Sequence, residues 1–211
     1  MKNSNADYLN EKINAITEEI QRLSGRFLRP VVAAIDGASG SGKTAIAQLL
    51  CSKLQAVIVP LDDFFSSNIP DNQWDNFSVT EKLEKVFDWN RVRTLALEPL
   101  RERKQAKWRS FDFLAGIQQD GTYLLKKEET IINPCEIIII EGAYSSCSFL
   151  ADLIDLTILI YVPAEKRHKR LSIREGDSDF LKQWHQRWDI AENYYFECIR
   201  PQNSFDFIIE G

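Results

Sequence analysis

Apolar positions recur along the chain with two different periods. In the first segment Leu9, Ile13, Ile16, Ile20 and Leu23 follow one another at intervals of 4, 3, 4 and 3 with charged residues between them. That spacing lines one face of an α-helix, and Gly25 offers a natural stop. Beyond it the pattern changes to short, nearly continuous apolar runs: Val31–Ile35, Ala56–Val59, Ile137–Ile140, Leu156–Val162 and Phe205–Ile209. Runs of this kind, rich in β-branched residues, predict strands covered on both faces. Between them lie helical stretches, the first carrying Ile46, Leu49, Leu50 and Leu54 on one face. The expected architecture is a three-layer α/β fold, a mostly parallel five-stranded sheet with helices on both faces. A small antiparallel hairpin is expected from residues 122–125 and 129–132. The expected division is a leader helix over residues 1–28 and one α/β domain over 29–211.

Composition narrows the class. A chain of 211 residues with 44% hydrophobic and 27% charged positions can form one packed core. Lys and Arg total 26 against 31 Asp and Glu, a net charge of −5, which argues against nucleic acid as a partner because such binding needs a basic footprint. No apolar run approaches the about 20 residues of a membrane span, and the N-terminus lacks the apolar centre of a signal peptide. Four scattered cysteines and two histidines predict free thiols in a cytoplasmic setting, with neither a zinc site nor a disulfide framework.

The most specific motif follows the first run. Gly37-Ala38-Ser39-Gly40-Ser41-Gly42-Lys43-Thr44 matches G-x-x-x-x-G-K-[ST] in full, between a buried strand and an amphipathic helix as the motif requires. Glycines let backbone N–H groups curl around phosphate oxygens, and the helix N-terminus adds partial positive charge. Lys43 is placed to bridge the β- and γ-phosphates of ATP and the Thr44 hydroxyl to ligate Mg²⁺. Asp62 and Asp63 end the second run and Glu141 ends the third, at the carboxyl ends of strands, where ligands gather in open α/β sheets. Phosphoryl transfer to a hydroxyl needs one carboxylate to orient the attacking oxygen and others to hold hydrated Mg²⁺. Successive side chains on an extended segment point to opposite sides, so one of Asp62 and Asp63 faces the cradle; the other caps the next helix or meets a further partner.

These residues resemble the uridine kinase-like group of P-loop kinases, related to phosphoribulokinase and pantothenate kinase. The likeness rests on the Ile35–Thr44, Leu61–Phe65 and Ile140–Gly142 segments. It extends to Phe87-Asp88-Trp89, similar to that family's substrate-side Phe-Asp motif, and to Ser110-Phe111-Asp112-Phe113, similar to its Tyr-Asp-Phe segment. The resemblance implies that Asp62 is the catalytic base, that Thr44, Asp62 and Glu141 organise Mg²⁺, and that Asp88 and the Phe111 segment meet a small-molecule hydroxyl acceptor. Uridine kinases have a tyrosine at the position of Phe111 and a histidine five residues on, where this chain has Gly116. A site that reads a base edge by hydrogen bonds loses most of its discrimination without such groups. The transfer chemistry survives that comparison; uridine specificity does not.

After the fourth run Arg167, Arg170 and Arg174 are spaced 3 and 4 apart, which puts three guanidinium groups on one helical face. By resemblance this is a lid, about residues 165–190, with Arg167 on the nucleotide and Arg170 and Arg174 on the transferring phosphate; a solvated basic face is the alternative. The tip of that lid is expected at residues 176–179. Trp184, Trp188, Glu192 and Tyr195 share a helical face and read as core, while Trp108, among Arg101, Arg103, Lys104, Lys107 and Arg109, reads as part of a solvated loop. The sequence thus points to an ATP-dependent small-molecule kinase, with a nucleoside-like acceptor ahead of pantothenate-like or sugar-acid acceptors. A nucleotide-dependent regulatory module is the rival, and self-association is left open.

Overall fold

In the computed structural model residues 3–176 and 179–211 are described. The strands are β1 (Val31–Asp36), β2 (Val57–Pro60), β3 (Ala106–Trp108), β4 (Thr130–Ile132), β5 (Ile137–Glu141), β6 (Leu156–Tyr161) and β7 (Phe207–Glu210). The helices are α1 (Asn3–Arg26), α2 (Lys43–Leu54), α3 (Val79–Lys85), α4 (Trp89–Arg91), α5 (Glu98–Arg101), α6 (Ala164–Glu175) and α7 (Asp179–Tyr194). A π-helical stretch, Val92–Leu97, joins α4 to α5, and another, Tyr195–Ile199, prolongs α7. No described helix is long and apolar enough to cross a membrane.

Five strands form one parallel sheet in the order β2-β5-β1-β6-β7. The alternating faces of β1 explain the three layers. Val31, Ala33 and Ile35 join Ile137 and Ile139 in a core closed by α1 and α2, whereas Val32, Ala34, Ile138 and Ile140 face a second core built with the segment from α3 to α5 and with α7. The stripe Ile13, Ile16, Ile20 and Leu23 of α1 is buried in the first of these cores. The register matters for function: Ile35 lies opposite Glu141, and Pro60 opposite Glu141 from the other side. The carboxyl ends of β1, β2 and β5 therefore stop at one level.

The expected hairpin forms differently. Thr130–Ile132 pairs antiparallel with Ala106–Trp108, while residues 122–125 contribute only an isolated bridge between Leu125 and Phe111. The reason is Trp108, whose indole is buried rather than solvated and stands 5.2 Å from the Phe64 ring, centroid to centroid. Burying a side chain of that size outweighs the local hairpin signal around Gly121. In α7 and its extension Trp188, Glu192 and Tyr195 are buried, as a core stripe requires.

Ile16 is fully buried, so truncating it leaves a cavity that the sheet beneath cannot collapse to fill. Ile16→Ala is expected to lower unfolding free energy by about 2–5 kcal/mol in urea titrations; a change below about 0.5 kcal/mol, the size of an ordinary surface substitution, would mean that α1 is not part of the cooperative core.

Candidate active site

The Gly37–Thr44 cradle is built on the end of β1 and held from beneath by one carboxylate. Asp36 is fully buried and accepts from the backbone N–H groups of Gly37 (2.7 Å), Tyr144 (2.8 Å) and Ser146 (2.9 Å) and from the Tyr195 hydroxyl (3.0 Å). Burial pushes its pKa up against the pull of these donors and of Lys43. Gly37 has φ +148°, and a Cβ there would stand 2.5 Å from the Ile160 carbonyl oxygen. Only glycine lets the cradle lie this close to β6.

Lys43 and Thr44 open α2, whose first turn follows Gly42. Lys43 Nζ donates to the Ala38 carbonyl (3.2 Å), reaching back across the cradle. Thr44 Oγ1 donates to Glu141 Oε1 (3.2 Å). Asp62 and Asp63 lie in the 3₁₀ turn Leu61–Phe64 that follows β2. Gly142 brings that turn against the end of β5: a Cβ at Gly142 would meet the Leu61 Cβ at 2.6 Å, so Glu141 and Asp62 are forced into proximity. Asp62 is exposed to solvent, although protein atoms crowd around its carboxylate. Burial raises its pKa, with Asp63 and Glu192 adding repulsion while Lys43 and Arg174 oppose them. The pKa of Glu141 is raised by burial first and then by Asp62, with Lys43 and Thr44 pulling the other way.

The two adjacent aspartates point to different partners, but not by the alternation of an extended segment, since both lie in the 3₁₀ turn Leu61–Phe64. Asp63 Oδ2 accepts from the Trp108 indole N–H (2.8 Å), and its backbone carbonyl accepts from Phe111 N–H (2.8 Å). Asp63 thus anchors the β3 region and Asp62 is left to the cradle side. Asp88 caps α4 by accepting from Arg91 N–H through Oδ1 (3.1 Å). Phe111 is buried, its ring centroid 5.7 Å from Phe65, 4.6 Å from Phe113 and 5.1 Å from Tyr123.

The three arginines of α6 do not act alike. Arg167 is placed differently from the expectation of a nucleotide contact. It is buried, donating from Nε to the Val162 carbonyl (3.1 Å) and from Nη1 to the Ser39 carbonyl (3.1 Å), and it pairs with Glu192 at 3.3 Å. Glu192 Oε1 in turn accepts from Ser39 N–H (3.0 Å) and Ser39 Oγ (2.5 Å). Arg170 is exposed and donates to the Ser41 carbonyl (3.1 Å), beside Gly42. Arg174 is exposed, pairs with Glu175 at 2.6 Å, and its charge is felt at Asp62. Of the expected lid tip, residues 177 and 178 lie outside the described residues.

The donor set suits a hard divalent cation and a phosphate chain. The oxygens of Thr44, Asp62 and Glu141 are the ligands that Mg²⁺ prefers, and their mutual repulsion is what a bound cation relieves. Ser41 Oγ is buried without a hydrogen-bond partner among the described residues, as a polar atom beside an anion site can be. Sequence reasoning did not single out Asp36 or the Trp108–Asp63 link, and it read Glu192 only as part of a core stripe. Asp36 had a signal, an acid closing an apolar run directly before the glycines; the other two join segments far apart in the chain.

Glu141→Gln removes one of two facing charges while keeping an acceptor for Thr44. Because the folded-state pKa of Glu141 is raised, its ionisation opposes folding, and that cost sets in as pH rises above the ordinary carboxylate range. The variant without nucleotide is therefore expected to melt at higher temperature than wild type at neutral pH, the gap closing towards about pH 4, where both carry a neutral side chain. Thermal melts across pH check this; a gap that widens on acidification contradicts it.

Three comparisons bear on this arrangement. The family model described as the phosphoribulokinase / uridine kinase family matches residues 32–209. A uridine kinase of Ureaplasma parvum is 26% identical over 151 residues, 69% of each chain. One of Borrelia duttonii is 27% identical over 187 residues, 84% of this chain and 85% of its own. Among solved structures, a Bacillus stearothermophilus protein described as a possible uridine kinase superposes with TM-score 0.68 at 19% identity, over 95% of this chain and 98% of that one; at that identity the likeness speaks for the fold. With a model spanning nearly all of the sheet and the whole cradle, the chain belongs to the phosphoribulokinase / uridine kinase family of P-loop kinases.

Proposed function

We propose that this phosphotransferase moves the γ-phosphoryl group of ATP to a hydroxyl of a small, nucleoside-like metabolite. The observation that carries the reading is the convergence of Asp62 and Glu141 on Lys43 and Thr44 at the carboxyl ends of three adjacent strands. Backbone amides of Gly37–Thr44 and the Lys43 ammonium hold the β- and γ-phosphates. Thr44, Asp62 and Glu141 hold Mg²⁺, which when bound neutralises charge on the phosphate oxygens. Asp62 orients the acceptor hydroxyl and takes its proton as the oxygen bonds to the γ-phosphorus and the bond to the β-phosphate oxygen breaks, releasing ADP. Its raised pKa suits a group that must gain a proton during turnover.

Arg170 and Arg174 sit on the exposed side of α6, where lid closure over residues about 165–190 would carry them to the transferring phosphate. Arg167 acts through the cradle, fixing the Ser39 carbonyl and Glu192. Asp88 retains a carboxylate oxygen for acceptor hydroxyls. The cluster of Phe65, Phe111, Phe113 and Tyr123 forms an apolar wall next to Asp63. That wall can stack on a planar or apolar part of the acceptor but cannot read a pyrimidine edge through the Phe111 or Gly116 side chains.

The deciding experiment is to supply Mg-ATP and a panel of nucleosides, vitamins and sugar acids to the purified chain and follow ADP release. Turnover stimulated by an acceptor supports the kinase; turnover indifferent to every acceptor favours a regulatory ATP-binding module. With the best acceptor, Asp62→Asn is expected to cut kcat at least about 10²-fold with ATP affinity changed less than about tenfold. Asp63→Asn is expected to act mainly on thermal stability, since the side chain is engaged by the Trp108 indole N–H; if Asp63→Asn is the inactive variant, the base is misassigned. Steady-state kinetics with uridine are expected to give kcat/KM below about 10⁴ M⁻¹s⁻¹, the low end of the usual enzyme range; a higher value would restore uridine as substrate.

A further inference from the structure

The only two histidines of the chain come from different helices and meet. The rings of His168 in α6 and His185 in α7 have centroids 4.1 Å apart. Asp189, one turn beyond His185, reaches both: its Oδ1 stands 3.0 Å from His185 Nδ1 and its Oδ2 3.1 Å from His168 Nε2. All three residues are half-buried, and one ligand-type atom from each lies within 4.8 Å of the other two.

Hydrogen bonding explains only one side of this cluster. His185 Nδ1 and Asp189 Oδ1 are aligned as a hydrogen-bonded pair. His168 Nε2 is buried and, despite its closeness to Asp189, has no hydrogen-bond partner among the described residues. A ring nitrogen aimed at a carboxylate oxygen without hydrogen-bond geometry is the arrangement expected where a cation belongs between them. The two nitrogen–oxygen separations, one to each carboxylate oxygen, are close to the separation of about 3.3 Å between ligand atoms that lie about 2.0–2.1 Å from a tetrahedral zinc.

We propose that His168, His185 and Asp189 form a zinc site that clasps α6 to α7, with water completing a tetrahedral shell. Two imidazoles and one carboxylate suit a borderline ion such as Zn²⁺, whereas Mg²⁺ prefers the all-oxygen set of Thr44, Asp62 and Glu141, so ligand chemistry separates the two sites. The clasp lies next to the buried Arg167–Glu192 pair: His168 follows Arg167 directly, and Glu192 is three residues beyond Asp189. It would extend the grip between the two helices outward from the cradle and fix their spacing. The sequence gives no metal motif here because the histidines lie in separate helices.

The test is calorimetric titration of ZnCl₂ into the whole chain, stripped of metal with chelator and kept in excess Mg²⁺ to occupy the all-oxygen set. Binding is expected at one equivalent with a Kd of about 1 µM or tighter, weakened at least about tenfold by His168→Gln, His185→Gln or Asp189→Asn. Co²⁺ in place of zinc is expected to give the visible bands of a tetrahedral nitrogen–oxygen site. A wild-type Kd weaker than about 100 µM, or binding unchanged in the double variant H168Q/H185Q, overturns the proposal. So does a thiolate charge-transfer band with Co²⁺, which would move the site to cysteines. A readout free of mutations comes from the imidazole NMR signals, since there are only two histidines to assign. Both must shift together on addition of one equivalent of zinc, and a shift in neither or in one alone refutes the site.

Discussion

A single buried carboxylate governs how the active region is assembled. Asp36 receives donors from the cradle (Gly37), from the turn after β5 (Tyr144 and Ser146) and from the π-helical end of α7 (Tyr195). Each of those N–H groups lies where secondary structure offers no partner, and leaving a buried donor unpaired costs about 1–3 kcal/mol. One acid therefore sets the relative position of three segments, two of them more than 100 residues from Asp36 in sequence. The burial that raises its pKa is the cost of that role; four donors arranged around it keep the cost tolerable.

The same logic, with the opposite sign, operates one layer above. Asp62 and Glu141 are brought together by Gly142 and by a register that ends β2 and β5 level, and Lys43, the Thr44 hydroxyl and the exposed Arg174 compensate their mutual repulsion only in part. Asp36 is a solved electrostatic problem and this pair is an open one. Sites that bind cations or developing positive charge are built in this way, with the stabilising counter-charge supplied by the ligand.

The parts of the molecule legible in the sequence were those in which information is local. The buried runs announce strands because each side chain along β1 or β5 is apolar, and the cradle announces itself because its residues are contiguous. Strand alternation could not tell the adjacent Asp62 and Asp63 apart, because both lie in a 3₁₀ turn, and the identity of the Asp63 partner, Trp108, was equally out of reach. Trp108 sits among basic residues that read as solvated, and its burial depends on a pairing with Thr130–Ile132 that no local pattern encodes. Arg167 failed for a related reason. Its helical face also carries Arg170 and Arg174, and only the packing of Glu192 from α7 decides that the first of the three is drawn inward.

That difference along one helix has a mechanical consequence. The first turn of α6 is bound to the cradle and to α7 through Val162, Ser39 and Glu192, so it moves with the sheet as one body. The later turns carry Arg170, Ile173 and Arg174, with Ile173 77% exposed, and their polar contacts are with exposed or backbone partners of little individual strength. A lid hinged before Arg167 would have to break a buried, hydrogen-bonded ion pair, which is costly because each partner would be left desolvated and alone. A lid that bends beyond Arg167 leaves that pair intact and works instead against the packing of the buried Leu171. Within the proposed lid of residues about 165–190, any movement would therefore fall to the turns of α6 beyond Arg167, while the base of α6 stays with the cradle it helps to shape.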